Sequence, residues 1–416
     1  SCPGWCPAPR ARAWIACLLA AAATSIPAQD SPAPARNPID AYLQAIEETL
    51  ALNGPYAIEL VDLYYGYGQK LLADGDLKGA RDAFHRTALV SRVNSGPNSL
   101  EQTNYLYSIA QVESMLGNFE ESVGVLEHIY ELNARHYGED NPEMLAVVMQ
   151  LQDWYSERRP LNLPQTRSSD IETLSYLAGR IADLTEVASG IGNAETAERY
   201  RTEGQIHFKA IYNMIQTGIP PQPELVMNDP GRGAQWYFDR TLSHHFEGGE
   251  MAYGRVVAAW RENPDSTTLD VAEAIAQLGD WYLALRHFNS AERQYEKAYE
   301  LLRSSETYAA IADEYLGKPA PLRFMNNEEP FVRDIDAPLF DGDLEIVMTV
   351  SRNGRLFDIR VVNAPVNETQ EAIQELTDRL QNTRFRPAVI NGEVDRLEGY
   401  VWRPPASPPR IAARDH

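Results

Sequence analysis

The sequence predicts a mostly α-helical chain of stacked helical hairpins that ends in a small α+β domain. Three observations carry this reading. A set of small and aromatic residues recurs forty-two residues apart in the first part of the chain. Alternating apolar residues with two Asn-Gly dipeptides stand near its end. The composition, 44% hydrophobic and 23% charged over 416 residues, is that of a globular protein long enough for several domains.

The N-terminal stretch reads differently from the rest. Arg10 and Arg12 precede an apolar run, Ala13 to Thr24, and then SIPAQD. A positive region, a short apolar region and a small residue before the cut predict a secretory signal peptide over 1–28, cleaved after Ala28. The run is shorter than the roughly 20 residues that span a bilayer, so an uncleaved anchor is the alternative. Residues 29–37 (QDSPAPARN) predict a flexible Pro-rich leader. All three cysteines, Cys2, Cys6 and Cys17, fall inside the signal segment. Beyond them there is no thiol for a disulfide, a nucleophile or a metal ligand. A cysteine-free, exported, acidic chain points to a bacterial periplasm. The net charge of −22 disfavours nucleic acid and anionic membrane surfaces, whose binding rests on clustered Lys and Arg.

From Asp62 to Ala88 the chain reads DLYYGYGQKLLADGDLKGARDAFHRTA. Gly68 falls on a first helix, Gly75 at a turn, and Ala80 and Phe84 on a second helix. Ala110, Gly117, Ser122 and Leu126 repeat those four places. His136 to Tyr155 opens a third unit, with Leu151 and Tyr155 roughly in step, before Pro160 and Pro164. After a gap, Ala252, Val256, Ala259 and Pro264 reproduce a second helix. Gly279, Tyr282, Ala291, Tyr295 and Ala298 give the best match, and a helix from Glu306 to Leu316 is expected to cap the array. The spacing resembles tetratricopeptide (TPR) repeats, in the longer kinesin-light-chain variety. Repeats are expected over 38–160 and 234–318, with a helical segment lacking the repeat spacing over 165–217. Thr217 to Gly233 is Pro/Gly-rich and reads as a boundary.

Helix pairs of this kind bury their apolar faces by stacking, which leaves a concave groove. The resemblance implies that the groove takes peptides or protein segments. On its register Tyr65, Gln69, Asn104, Tyr107 and Gln111 face that groove. The alternative for Tyr65 and Tyr107 is plain packing against neighbouring helices.

Near the end, Leu344, Ile346, Met348 and Val350 alternate as in a half-buried strand. Asn353-Gly354 turns the chain, and Phe357, Ile359 and Val361 alternate on the way back. Thr369 to Asn382 predicts a helix with Ile373, Leu376 and Leu380 on its apolar face. A strand from Arg384 to Ile390, the turn Asn391-Gly392 and a strand from Arg396 to Trp402 follow. The expected result is a three-to-four-stranded antiparallel sheet with one packed helix. The run VMTVSRNGRLFDIRVVNA, a helix, and RFRPAVINGEVDRLEGYVWRP resemble the C-terminal domain of TonB-type energy transducers. Phe385, Pro387, Ala388 and Gly392 carry the likeness, which covers 330–404; a disordered tail is expected over 405–416. The resemblance implies an edge strand that pairs with an extended peptide, against the alternative of a cap on the helical array. The membrane anchor and long Pro/Lys-rich spacer of such transducers are not matched here.

No catalytic or cofactor motif stands out. His244 and His245 are adjacent, so on one helix they point about 100° apart and do not make the i, i+4 metal pair. His85, His128, His136, His207, His287 and His416 are scattered singly. There is no Gly-rich phosphate loop, H-E-x-x-H or G-x-S-x-G. The expected function is a non-enzymatic periplasmic scaffold for protein or peptide partners of the bacterial envelope, with no cofactor and no stable membrane span. The alternatives are an atypical energy transducer held by an uncleaved N-terminus, and an envelope enzyme with its site in 165–245.

Overall fold

The computed structural model describes residues 38–158, 168–218, 234–322, 344–363, 370–381 and 383–403. The expected signal peptide, leader and tail, and the first part of the expected C-terminal domain, lie outside them. The chain divides into two compact units, 1–94 and 95–416.

The first unit holds α1 (Pro38–Asn53), α2 (Glu59–Ala73) and most of α3 (Leu77–Ser95). Its packing explains its small residues. A Cβ on Gly66 would stand 2.6 Å from the Tyr42 hydroxyl, and one on Gly68 would stand 2.6 Å from the Phe84 ring. Glycine therefore lets α2 approach both its neighbours, and Phe84 and Ala80 are sealed from solvent between the helices.

In the second unit α4 (Thr103–Met115) pairs with α5 (Phe119–Tyr137). Ser122 Oγ donates to the Ala110 carbonyl at 2.7 Å where the two cross. Then come α6 (Met144–Arg158), α7 (Ser168–Ser189), α8 (Ala194–Thr217), α9 (Ala234–Glu262), α10 (Thr268–Ala284) and α11 (Phe288–Arg303), each packed on the one before it. The described part of the expected non-repeat segment, 168–217, thus carries helix-on-helix packing although its sequence shows no repeat spacing. A Cβ on Gly204 of α8 would stand 2.6 Å from the Tyr253 ring of α9, and one on Gly279 of α10 would stand 2.6 Å from the Tyr295 ring of α11. These are the same small-against-aromatic crossings as Gly68 with Phe84. The chain is therefore a helical array of TPR-like hairpins in both units. A core cluster in the second unit gathers Tyr200, Tyr253, Trp281 and Tyr295.

The capping helix expected from Glu306 to Leu316 is shorter. A 3-10 turn (Ala309–Ile311) leads into α12 (Ala312–Tyr315). Ser305 Oγ accepts the Tyr308 N–H at 3.4 Å, a cap-type bond three residues on, yet residues 306–308 form turns and the 3-10 segment starts only at Ala309.

The C-terminal part places β2 (Glu345–Val350) between β3 (Leu356–Asn363) and β7 (Leu397–Trp402), all antiparallel. Helix α13 (Gln370–Gln381) packs on β3. Ile346, Met348, Val350, Leu376, Leu380, Phe385 and Trp402 form the core beneath, with Phe385 edge-on to Trp402 at 5.4 Å. Alternation in β3 is not simple. Asp358 has φ +53° and the register slips there, so Leu356 and Ile359 face the core while Phe357 is exposed. One extra residue re-aims every side chain before it.

The expected strand from Arg384 to Ile390 does not join that sheet. Pro387, which lacks an N–H, divides it into β4 (Phe385–Arg386) and β5 (Ala388–Ile390). Strand β4 pairs with β1 (Ala320–Pro321), which directly follows α12. Strand β5 folds back on β6 (Glu393–Asp395) through Asn391-Gly392, both with positive φ as a two-residue primed turn requires. Val389 and Val394 of this hairpin enter the helical core cluster, and Val389 N–H donates to the Leu316 carbonyl at 2.8 Å. The second tight hairpin thus plugs the end of the helical array.

Candidate functional site: a cleft on the last repeats

A cleft of about 400 Å³ opens on the first helices of the last two hairpins. Arg201 and Gln205 come from α8, and Asp270, Glu273, Gln277 and Asp280 from α10. Trp260, Tyr315 and the β1 residues Ala320 and Pro321 complete the wall, and Arg386 of β4 reaches in from the C-terminal part.

The floor is a buried ion pair. Arg386 Nε and Nη2 donate to Asp280 Oδ1 and Oδ2 at 2.9 and 2.6 Å. Tyr295 Oη donates to Asp280 Oδ1 at 2.8 Å, and the Arg386 guanidinium lies over the Tyr295 ring at 5.8 Å. Burial by itself lowers the Arg386 pKa, but the Asp280 charge and hydrogen bonds outweigh it and hold the guanidinium ionised. The Tyr295 hydroxyl is pushed well up, first by burial and then by the Asp280 charge. Arg386 and Asp280 therefore neutralise each other.

The rim has a different balance. Arg201 pairs with Glu198 and donates through Nε to Gln277 Oε1 at 3.0 Å. Gln277 Nε2 donates to Glu273 Oε1 at 3.4 Å. Asp270 belongs to the capping box that starts α10, accepting the Thr267 N–H at 2.7 Å. With the Arg201 and Arg386 charges met by Glu198 and Asp280, the Asp270 and Glu273 carboxylates remain at the mouth beside Trp260 and Tyr315. Such a rim favours a cation: a guanidinium or ammonium meets two carboxylates and aromatic faces together.

The five groove positions expected from sequence are distributed over two units. Tyr65 and Gln69 stand on α2 in the first, and Asn104, Tyr107 and Gln111 stand on α4 in the second. Tyr65 is half-buried, its ring centroid 5.7 Å from that of Phe84. Gln69, Asn104 and Gln111 are exposed. Tyr107 is half-buried, and burial pushes its hydroxyl pKa up to about 12. Three of the cleft residues, Arg201, Gln205 and Asp280, stand at the corresponding offsets from their own crossing glycines. Tyr65 and Gln69 lie three before and one after Gly68; Arg201 and Gln205 stand so about Gly204, and Asp280 one after Gly279. The α8–α9 pair departs from the repeat length, since α9 begins only at Ala234.

A second convergence lies inside α7, α8 and α9. His207 Nδ1 and His245 Nδ1 are 2.9 Å apart, so one donates to the other. His245 Nε2 lies 3.2 Å from Glu172 Oε1, and His207 Nε2 lies 3.9 Å from Glu203 Oε1. Both imidazoles are sealed, and a Cβ on Gly248 would stand 2.6 Å from His207 Nε2. Burial, then the His245 and His244 charges, pull the His207 pKa down to about 3. Burial, then the Asp183 charge, push Glu203 up to about 7. This largely buried cluster knits three helices. The isolated sequence positions of its members gave no sign of it, since only the fold brings His207 to His245. Among the described residues, no group of three or more His, Cys, Asp or Glu side chains is placed to hold a metal ion. No described helix is long and apolar enough to cross a membrane.

No family model matches the chain, and no curated protein matches it in sequence. Solved structures similar to it include BtubC (BKLC) from P. vanneervenii, 14% identical over 63% of this chain and 89% of that one, with a TM-score of 0.30. Another is a Podosopora anserina putative kinesin light chain with nearly identical TPR-like repeats, 9% identical over 61% and 99%, with a TM-score of 0.33. A circular tandem repeat protein is 11% identical over 67% and 68%, with a TM-score of 0.31. Superpositions this loose define no family; the hairpin stacking described above rests on the chain's own contacts.

Proposed function

We propose that the chain is a protein-interaction scaffold whose cleft on α8 and α10 holds a peptide segment through a lysine or arginine side chain. One observation carries the reading: among the described residues Asp270 and Glu273 have no ion-pair partner, while the arginines of the same cleft, Arg201 and Arg386, are paired, and Trp260 and Tyr315 wall it. The volume of about 400 Å³ suits one or two side chains. The net charge of −22 supports a basic partner, since complementary fields speed encounter and exclude acidic competitors.

The setting belongs to the same proposal. The leader pattern over 1–28 and the lack of cysteine after Cys17 support an exported, periplasmic protein with partners in the bacterial envelope. The TonB-like reading of the C-terminal part is supported by its two Asn-Gly hairpins, its single helix packed on β3 and the Pro387 break. In this account that part both plugs the array, through Val389 and Val394, and supplies Arg386 to the cleft floor. The reading calls for no catalysis.

The test is selection of a displayed random-peptide library on the full chain, counter-selected on a Trp260→Ala/Glu273→Lys variant. Enrichment of Lys- or Arg-containing peptides that is lost on the variant supports the proposal. Equal enrichment on both proteins, or enrichment of acidic peptides, overturns it.

A further inference from the structure

A second cavity, of about 580 Å³, is lined among others by Arg286, Arg355, Phe357, Asp358, Ile359 and Arg384. Three arginines face one space in a chain where acids outnumber bases 59 to 37. Among the described residues, none of the three is within ion-pair distance of a carboxylate. Arg384 is the inner one. Its Nη1 donates to the Asn353 carbonyl at 2.7 Å, its guanidinium lies over the Phe288 ring at 5.4 Å, and its backbone bridges to Arg355. Burial, then the positive charges of Arg355 and Arg286, lower its pKa. Like charges held together in this way cost free energy unless a ligand offsets them. Asp358 also lines the cavity, its carboxylate turned to Thr349 Oγ1 at 3.3 Å.

The backbone gives an independent sign. Asp358 and Arg286 are two of the three described non-glycine residues with positive φ, and both line this cavity. Arg286 occupies a position the array otherwise gives to glycine. Gly75, Gly117 and Arg286 each stand seven residues after the small residue of the crossing, Gly68, Ala110 and Gly279. Each closes the same helix end. Their N–H groups donate to Leu72, Ser114 and Leu283 carbonyls at 3.1 Å, and the residues after them donate to Leu71, Glu113 and Tyr282 at 2.9, 2.9 and 2.8 Å. Glycine adopts φ near +83° there without strain, whereas Arg286 at φ +65° does not. An arginine kept in a glycine position, beside a strained aspartate and two further arginines, marks a site held for a ligand rather than for stability.

We propose that this cavity binds an organic oxyanion, a carboxylate or phosphate whose charged oxygens meet Arg286, Arg355 and Arg384 and whose body lies against Phe357 and Ile359. The fork of each guanidinium suits bidentate contact with such oxygens. Asp358 is placed to accept a hydrogen bond from a hydroxyl or amine on the same ligand. The site is separate from the cleft on α8 and α10, so either can fail without the other.

The experiment is calorimetric titration of the full chain with inorganic phosphate, with citrate, and with a pentapeptide bearing either a free or an amidated C-terminus. At least one anion is expected to bind. Arg286→Gly is expected to weaken that binding at least about tenfold while raising the melting temperature, because glycine relieves the strained turn. Arg355→Gln is expected to weaken it as well. Arg396→Gln serves as a control, since Arg396 pairs with Glu398 and does not line the cavity. Binding of citrate or phosphate identifies a free small anion, and binding of the free but not the amidated peptide identifies a chain terminus; either supports the site. No binding by any probe, binding unchanged in Arg286→Gly, or equal weakening by Arg396→Gln overturns it.

Discussion

Replacing Asp280 by Asn removes one charge from the pair that ties β4 to α10 and keeps the side chain's shape. Asp280 and Arg386 side chains are only 4% and 12% exposed, so solvent screens them little. The change leaves Arg386 as a buried cation without its counter-charge, and it takes the charged acceptor from Tyr295 Oη. Breaking a buried pair on one side costs about 3–5 kcal/mol, because the remaining charge stays desolvated. Arg386→Met strands the Asp280 carboxylate and is expected to cost a similar amount. Making both changes removes both charges, so the double variant is expected to be at least about 2 kcal/mol more stable than the two single losses added together. Urea denaturation of the four proteins, followed by circular dichroism, gives the cycle. Single losses below about 1 kcal/mol, or strict additivity, would refute the claim that this contact docks the C-terminal strands on the helices.

Other consequences follow from the same contacts. Glu203, held up to about 7 and with Oε2 lacking a hydrogen-bond partner, keeps its proton in the fold between pH 4.5 and 7 while the unfolded chain loses it. It therefore contributes no penalty below pH 4.5 and a growing one above. Glu203→Gln is expected to stabilise by up to about 3 kcal/mol at pH 8 and by almost nothing at pH 4, read from urea midpoints across that range. His207, pulled down to about 3, acts with the opposite slope: its stability is present above pH 6.5 and is lost as pH falls toward 3. The two slopes offset each other between pH 4.5 and 6.5 in the native chain, and Glu203→Gln should expose the His207 slope there. Gly279→Ala forces a Cβ onto the Tyr295 ring and is expected to cost about 1–3 kcal/mol by thermal melting. Gly392→Ala, at φ +94°, is expected to cost about 1–2 kcal/mol and to loosen hydrogen-exchange protection at Val389, whose N–H is bonded to Leu316.

Much of the fold was legible because its contacts are local. Gly68 with Phe84, Ala110 with Ser122, and Gly279 with Tyr295 meet across a single turn, so a fixed spacing encodes each crossing. Gly204 and Tyr253 are separated by forty-nine residues, and no fixed repeat spacing encodes a crossing at that distance. Both Asn-Gly turns were readable from the dipeptides alone. What the strand from Arg384 to Ile390 pairs with was not: Pro387 announces a break, but no local pattern says that β4 joins β1 and β5 leans on helices. The bulge at Asp358 was hidden for a similar reason, since Asp358 is followed by Ile359 and not by the glycine that marks Asn391-Gly392 as a turn. The cleft depends on Arg386 meeting Asp280 across 106 positions. A long-range ion pair of that kind is a product of the fold, and sequence periodicity does not show it.

The central claim is that the cleft on α8 and α10 recognises a cationic peptide side chain. Its most direct measurement is fluorescence anisotropy of one library-selected peptide and its Arg/Lys→Glu counterpart, against the native chain and Glu273→Lys. The cationic peptide is expected to bind the native chain and to lose at least about tenfold in affinity on Glu273→Lys, while the acidic counterpart gains. Equal binding of both peptides, or affinity unmoved by the charge reversal, would contradict it.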